Sequence, residues 1–284
     1  MIDNPVIDLG EDVPAVRHHG GDLLFVGTAT VLIRLPGFTL LTDPNFLHQG
    51  EHAHLGYGLR SRRLTEPALA IADLPPLDVV VLSHHHGDHF DQRAADELPK
   101  SVPIITTPHA AGKLRHQGFT DPRPLETWDR QVLRRGDLQL RITALPAQHA
   151  PQPLNRLLPP VMGSMLELAR RGEPLLRMYL SGDTLLHDRL AEIPRRFPEI
   201  HLGLFHLGGT RILGVLLTMD AQQGVDAIRL IDPDVAVPIH YDDYTVFRSP
   251  LTDFQEAVRG AGLRSEVHYV ERGDRWTFPV GASS

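Results

Sequence analysis

Val79-Val80-Val81-Leu82-Ser83-His84-His85-His86-Gly87-Asp88-His89-Phe90-Asp91 is the stretch on which the fold turns. Four apolar residues run into a segment holding four histidines and two aspartates. A short, unbroken Val/Leu run bounded by polar residues predicts a fully buried strand. The histidines therefore begin where a central strand ends, which is where open α/β folds place their ligand sites. This strand end is expected to hold two metal ions, with later motifs completing their coordination.

The rest of the composition limits what such a site can be. The chain has 284 residues, 42% of them apolar and 22% charged, enough for a substantial core and unlike a disordered chain. It has no cysteine, which excludes disulfides, thiolate metal sites and cysteine nucleophiles. Any metal must therefore rest on nitrogen and oxygen ligands. The net charge of -7 argues against broad nucleic-acid binding, and no nucleic-acid partner is expected. No apolar run approaches the roughly 20 residues of a membrane-spanning helix. Met1-Ile2-Asp3-Asn4-Pro5 lacks the basic and apolar regions of a signal peptide. The expectation is a cytoplasmic protein acting on a small molecule, with peripheral membrane contact and oligomeric state left open.

In chain order, residues 1–20 read as polar and irregular. Leu23-Leu24-Phe25-Val26 reads as a strand. Val31–Leu35 and Phe38–Thr42 flank the turn signal Pro36-Gly37, giving a meander that ends at Asp43-Pro44. Residues 45–66, with His48, His52, His54, Tyr57, Arg60, Arg62 and Arg63, read as a long loop: a substrate-facing flap or a solvated connection. Helices are predicted over 92–98 and 108–117, with a strand over 102–107 between them. This alternation predicts a partly parallel sheet with helices outside. Leu138–Ala144 reads as a half-buried strand leading to His149. Residues 151–172 read as an insertion, a lid near the site or an edge hairpin after a Pro-rich loop. Strands at 175–180, 200–205 and 234–239 lead to Asp183, His206 and His240, and Asp220 with Gln223 predicts a helix start. A helix over 250–260 follows. Strands at 266–270 and 275–278, with Gly273-Asp274 as the turn between them, close the chain. Ligand candidates come from both halves, so the chain reads as a single domain, 1–284.

His84 and His86, leaving a strand together, can converge on one metal while Asp88 and His89 point to a second. Imidazoles and carboxylates suit zinc, and also manganese or iron. Gly87 lets the backbone turn between the two pairs. One His-x-His would read as a surface loop; the full His-x-His-x-Asp-His after a buried strand is far more specific.

The chain resembles the metallo-β-lactamase-fold superfamily of metal-dependent hydrolases, whose signature is this motif followed by a His, an Asp and a His, each after a strand. His149, Asp183 and His240 match in that order. The resemblance runs from about Leu23 to Phe278 and implies an αββα sandwich, an α/β fold of two mixed sheets with the site along one edge. It implies that His84, His86 and His149 hold a first metal, that Asp88, His89 and His240 hold a second, and that Asp183 bridges them. Gly27-Thr28-Ala29-Thr30, Thr42-Asp43-Pro44 and Asp91 resemble the branch containing L-ascorbate-6-phosphate lactonase and the N-acyl phosphatidylethanolamine phospholipase D-like proteins. In that branch Asp43 would orient a ligand histidine.

Such a site lowers the pKa of a bridging water, orients it and polarises the electrophile, so the nucleophile is hydroxide. Asp88 is a candidate proton acceptor, and His206, Tyr241 and Tyr244 are candidates to assist the leaving group. Arg60, Arg62, Arg63 and Arg211 are candidates for a phosphate or carboxylate, and Tyr241 is a further candidate to bind substrate. The expected substrate is a phosphodiester or a phosphorylated small molecule. A lactone or other carboxylic ester is the alternative, ahead of a nuclease or a non-catalytic metal-dependent binder.

Overall fold

A computed structural model of the chain describes residues 4–11, 20–56 and 58–281. Val79–Val81 is a strand, as its apolar run predicts. Val79 and Val81 enter the core between two sheets, whereas Val80 enters the layer between its own sheet and the outer helices. Burial on both faces explains why this strand shows no polar alternation. Its neighbours Phe38–Thr42 and Ile104–Thr106 both run parallel to it.

The first sheet has seven strands in the spatial order Arg275–Pro279, Gly20–Gly27, Thr30–Leu35, Phe38–Thr42, Val79–Val81, Ile104–Thr106 and Pro122–Pro124. The second has eight: Ile7–Asp8, Arg130–Arg135, Leu138–Pro146, Met162–Arg170, Glu173–Leu180, Leu202–His206, Val235–Ile239 and Glu266–Val267. Between them lies an apolar layer with Phe25, Val31, Ile33 and Leu40 on one side and Ile142, Leu166, Met178 and Val237 on the other. Helices Gln92–Glu97 and Pro108–His116 cover the outside of the first sheet through Ala94, Ala95, Ala110 and Leu114. Ala221–Ile231 and Leu251–Arg259 cover the second through Val225, Ile228 and Phe254. The result is the expected αββα order of layers.

Local sequence sets the helix starts. Asp91 accepts from the Ala94 amide and Thr107 from the Ala110 amide, each capping a first turn. Asp220 caps through the Gln223 amide, but the Gln223 side chain accepts from Leu186 N instead of closing the cap.

Four expectations need correction. Residues 45–66 are not structureless: His52–His54 and Arg60–Arg62 form an antiparallel ribbon, and the Gly87 amide donates to the His54 carbonyl at 2.9 Å. Residues 151–172 are not one insertion, because Met162–Arg170 is an interior strand paired on both sides. Only the Pro-rich part before it, with one turn at Leu154–Arg156, leaves the sheet. The two closing strands do not pair: Glu266–Val267 ends the second sheet and Arg275–Pro279 the first. Strands at Ile7–Asp8, Pro122–Pro124 and Arg130–Arg135 were not expected. Pro122–Pro124 lies at a sheet edge, where the amides proline lacks are not needed for a second neighbour. Tyr57 and most of residues 1–20 lie outside the described residues.

Candidate metal centre

The parallel arrangement sends several strand ends to one edge of the sandwich. Asp43 follows Phe38–Thr42 and the histidine segment follows Val79–Val81. From the second sheet, His149 follows Leu138–Pro146, Asp183 follows Glu173–Leu180, and His240 follows Val235–Ile239. All seven expected ligands are buried. They gather as two clusters that could each hold a metal ion: His84, His86 and His149 in one, and Asp88, His89, Asp183 and His240 in the other.

Neighbouring groups fix which ring nitrogen each histidine presents. The Leu217 carbonyl accepts from His149 Nδ1 at 3.0 Å, freeing Nε2. The Leu207 carbonyl does the same for His240 Nδ1 at 3.0 Å. His84 Nδ1 lies 3.0 Å from Ser83 Oγ, so His84 Nε2 faces His86 Nδ1 at 2.9 Å. His149 Nε2 lies 3.3 Å from that same His86 nitrogen. His89 turns Nδ1 to Asp43 and Nε2 to Asp183, each at 3.2 Å.

The donor set fits divalent ions on a further ground. His89 Nε2, His240 Nε2, Asp88 Oδ1 and Asp183 Oδ1 are buried and have no hydrogen-bond partner. They face one another as ion pairs, with His89 Nε2 3.2 Å from Asp183 Oδ2 and His240 Nε2 3.6 Å from Asp183 Oδ1. Four converging in one cluster match a cation better than a packed protein interior.

Charge divides the two clusters. Burial first, then the neighbouring rings of His89, His86 and His149, hold the His84 pKa well below the ordinary imidazole value. Burial, with His149 next, pushes His86 down to about 3. Burial also lowers His149, against the pull of Asp183. These rings are neutral, with lone pairs available. At His89 burial likewise disfavours the charged ring, but Asp183, Asp88 and Asp43 outweigh it and raise the pKa well above the ordinary value. At His240, Asp183 and Asp88 outweigh burial in the same way. Burial works to raise Asp183, yet His240, His89 and His84 hold it well below the ordinary carboxylate range. Asp183 thus interacts with histidines of both clusters.

The backbone carries strain here. Asp43 and His240 adopt positive φ, 34° and 62°, in a region unfavourable to residues with a side chain. Thr30 Oγ1 donates to the Asp43 carbonyl at 2.7 Å, and the His240 amide donates to the Thr28 carbonyl at 2.7 Å, pinning both.

Residues 39–241 match the family model described as a beta-lactamase superfamily domain. The chain belongs to this superfamily. A UPF0173 metal-dependent hydrolase from Anaeromyxobacter sp. (strain K) is 25% identical over 270 residues, 90% of this chain and 86% of that protein. Among solved structures, the isothiocyanate hydrolase from Delia radicum gut bacteria matches with a TM-score of 0.74 at 21% identity, over 91% of this chain and 99% of that one. A structure described as a possible metal-dependent hydrolase, from Veillonella parvula DSM 2008, gives 0.75 at 23% identity, over 91% and 100% of the two chains. The fold is the metallo-β-lactamase fold.

Several other candidates occupy different places from those expected. His206 is buried behind the clusters: its Nε2 lies 3.3 Å from Asp43 Oδ2 and its Nδ1 lies 3.1 Å from Ser181 Oγ. It braces Asp43. Tyr241 belongs to the layer between the sheets, 6.1 Å from the Phe25 ring. Tyr244 donates to Asn45 Oδ1 at 2.9 Å under the Arg63 guanidinium. Arg63 is wholly buried, whereas Arg60 and Arg62 are exposed on the ribbon and Arg211 pairs with Asp220 at 3.2 Å.

None of these residues lines the main cavity beside the site, which has a volume of about 730 Å³ and reaches His86. Its walls include His52 and His54 of the ribbon, His85, His109 and Lys113, and Leu157 to Pro160. His85 stood inside the quoted motif. His109 and Lys113 carried no signal, because a solvent-facing pair one helical turn apart looks like any polar helix face. No helix among the described residues is long and apolar enough to cross a membrane.

Proposed function

We propose that this chain is a dinuclear metal-dependent hydrolase working as one domain. His84, His86 and His149 would hold one ion, Asp88, His89 and His240 a second, with Asp183 shared. Zinc suits this nitrogen and oxygen set, and manganese or iron would also fit. The observation that carries the reading is the convergence of buried, unpartnered ligand atoms from both sheets on one edge. The relatives named metal-dependent hydrolases support it. The proposed substrate is a phosphodiester or phosphorylated small molecule.

Bound divalent ions would supply Lewis acidity and bring the pKa of a water toward neutrality. The chain's own residues do the rest. Asp88 is held ionised: burial opposes this, but His89 and His240 outweigh it. Its unpartnered Oδ1 can accept a proton from a reacting group. Asp43 fixes the ring of His89, and His206 with the Ser83 amide fixes Asp43. This bracing is the role that the resemblance of Thr42-Asp43-Pro44 to the lactonase and phospholipase D-like branch implies for Asp43.

A carboxylic ester or lactone is the second reading, favoured by the apolar cavity wall of Leu157, Leu158, Pro159 and Pro160. Metal-loaded protein offered bis-p-nitrophenyl phosphate, p-nitrophenyl acetate and acyl lactones separates the two. Hydrolysis of none of them would favour a narrow substrate or a non-catalytic binding role. Elemental analysis of Asp183→Ala tests the shared carboxylate, and unchanged metal content would sink that assignment.

A further inference from the structure

The cavity beside His86 has a chemistry of its own. Its titratable lining is mostly basic: His52, His54, His85, His109 and Lys113. Asp91, the one carboxylate among the described residues of its walls, is already committed. It accepts from the Ala94 amide at 2.8 Å, from the Leu47 amide at 2.7 Å and from the Phe46 amide. Lys113 has no carboxylate partner among the described residues, although most arginines of the chain do.

His85 belongs to this wall and not to the metal clusters. Its ring lies 5.6 Å from Phe90, and its Nε2 lies 3.2 Å from Gln117 Oε1 on the neighbouring helix. Lys113, on the helix Pro108–His116, is the one lysine or arginine among the described residues that line the cavity. Leu157, Leu158, Pro159 and Pro160 also line the cavity and are apolar, and Leu157 is 65% exposed. A cavity of this volume suits a small molecule.

We propose that this cavity is the recognition pocket for the substrate, and that the substrate is a small molecule with an anionic oxygen group on an apolar body. The anionic group, phosphate or carboxylate, is read by Lys113 and His109. The apolar body packs on the Leu157 to Pro160 segment, with the scissile bond at His86. The inference rests on the hydrolase reading for which group is cut. It differs in placing substrate recognition on the helix Pro108–His116 and not on the arginines.

The test is calorimetric binding of phenyl phosphate, phenylacetate and the neutral 2-phenylethanol to metal-loaded full-length chain and to Lys113→Ala and Lys113→Arg. The charged probes should bind the unaltered chain more tightly than the alcohol. Lys113→Ala should weaken them by about tenfold, as loss of a charge-assisted hydrogen bond does, with metal content unchanged. Lys113→Arg should recover most of the loss, and the stronger charged probe identifies phosphate or carboxylate. Equal binding of charged and neutral probes, or equal binding by the unaltered chain and Lys113→Ala, overturns the proposal. A chain that takes up no metal fails the hydrolase reading instead, in the same samples and independently of Lys113.

Discussion

Asp43 Oδ2 lies 3.2 Å from His89 Nδ1 and 3.3 Å from His206 Nε2, so one carboxylate braces two buried rings. Its other oxygen accepts from the Ser83 amide at 2.7 Å, at the start of the histidine segment. The ends of two neighbouring strands are thereby locked to each other. Asp43→Ala should weaken metal binding by roughly 10–100-fold, as loss of a ligand's supporting carboxylate does. Competition with a coloured chelator measures this, and an affinity equal to that of the unaltered chain would show that Asp43 is only a turn residue.

Proton release should distinguish the two clusters. In the metal-free protein, nearby carboxylates raise the pKa of His89 and His240, so these rings hold protons that a metal must displace. Affinity of that cluster should fall as pH falls below those raised values. The cluster of His84, His86 and His149 is already neutral, and His86 takes up a proton only near pH 3. Metal titration at neutral pH in buffers of different ionisation enthalpy should show protons released by one class of sites and few by the other. Identical release by both would contradict the assignment.

Acid should also destabilise the metal-free fold through the same rings. His86 has a folded pKa of about 3, against about 6.5 in an unfolded chain. Between these values the unfolded state binds the extra proton, so the His86 contribution to stability is present above pH 6.5 and is lost as pH falls toward 3. Denaturant midpoints of metal-free chain should drop over that window. The drop should shrink in His86→Gln, which has no ring to protonate.

Gly87 joins the metal segment to the ribbon. A Cβ built there would lie 2.6 Å from His54 N and 2.8 Å from His54 O, both backbone atoms that cannot turn aside. Gly87→Ala should cost about 1–3 kcal/mol and lower metal content together with melting temperature. Gly112, within the helix Pro108–His116, has nothing within 4 Å of the same position. Gly112→Ala should stabilise by about 0.4–1 kcal/mol. The two alanines thus have opposite expected signs in one thermal-melt experiment.

Adjacent arginines should behave differently. Arg63 is fully buried, donating to the Thr65 carbonyl at 3.1 Å and to the Asn45 side chain, which in turn donates to the Gly87 carbonyl at 2.9 Å. Arg63→Ala should destabilise by roughly 1–3 kcal/mol through the partners left unsatisfied. Arg60 and Arg62 project from the ribbon into solvent, and their alanine variants should stay within about 0.5 kcal/mol. Equal losses at all three positions would refute the buried role of Arg63.

Much of this molecule was legible in the chain. The run Val79–Leu82 marked a central strand, and the ordered series His84, His86, Asp88, His89, His149, Asp183 and His240 marked candidate ligands that the structure gathers into two clusters. Both signals are local: burial on two faces removes polar alternation, and metal ligands need particular side chains at a strand terminus. Tertiary structure decided what local pattern cannot encode. It placed Met162–Arg170, read as part of a lid or an edge hairpin, in the sheet interior and split the two closing strands between sheets. It buried Arg63 while leaving Arg62 in solvent, and turned His85 to the cavity wall between two histidines of the metal cluster. Neighbouring residues with the same side chain differ only in which face of the chain they occupy. That is set by partners such as Asn45, Tyr244 and Gln117, which come from other parts of the sequence.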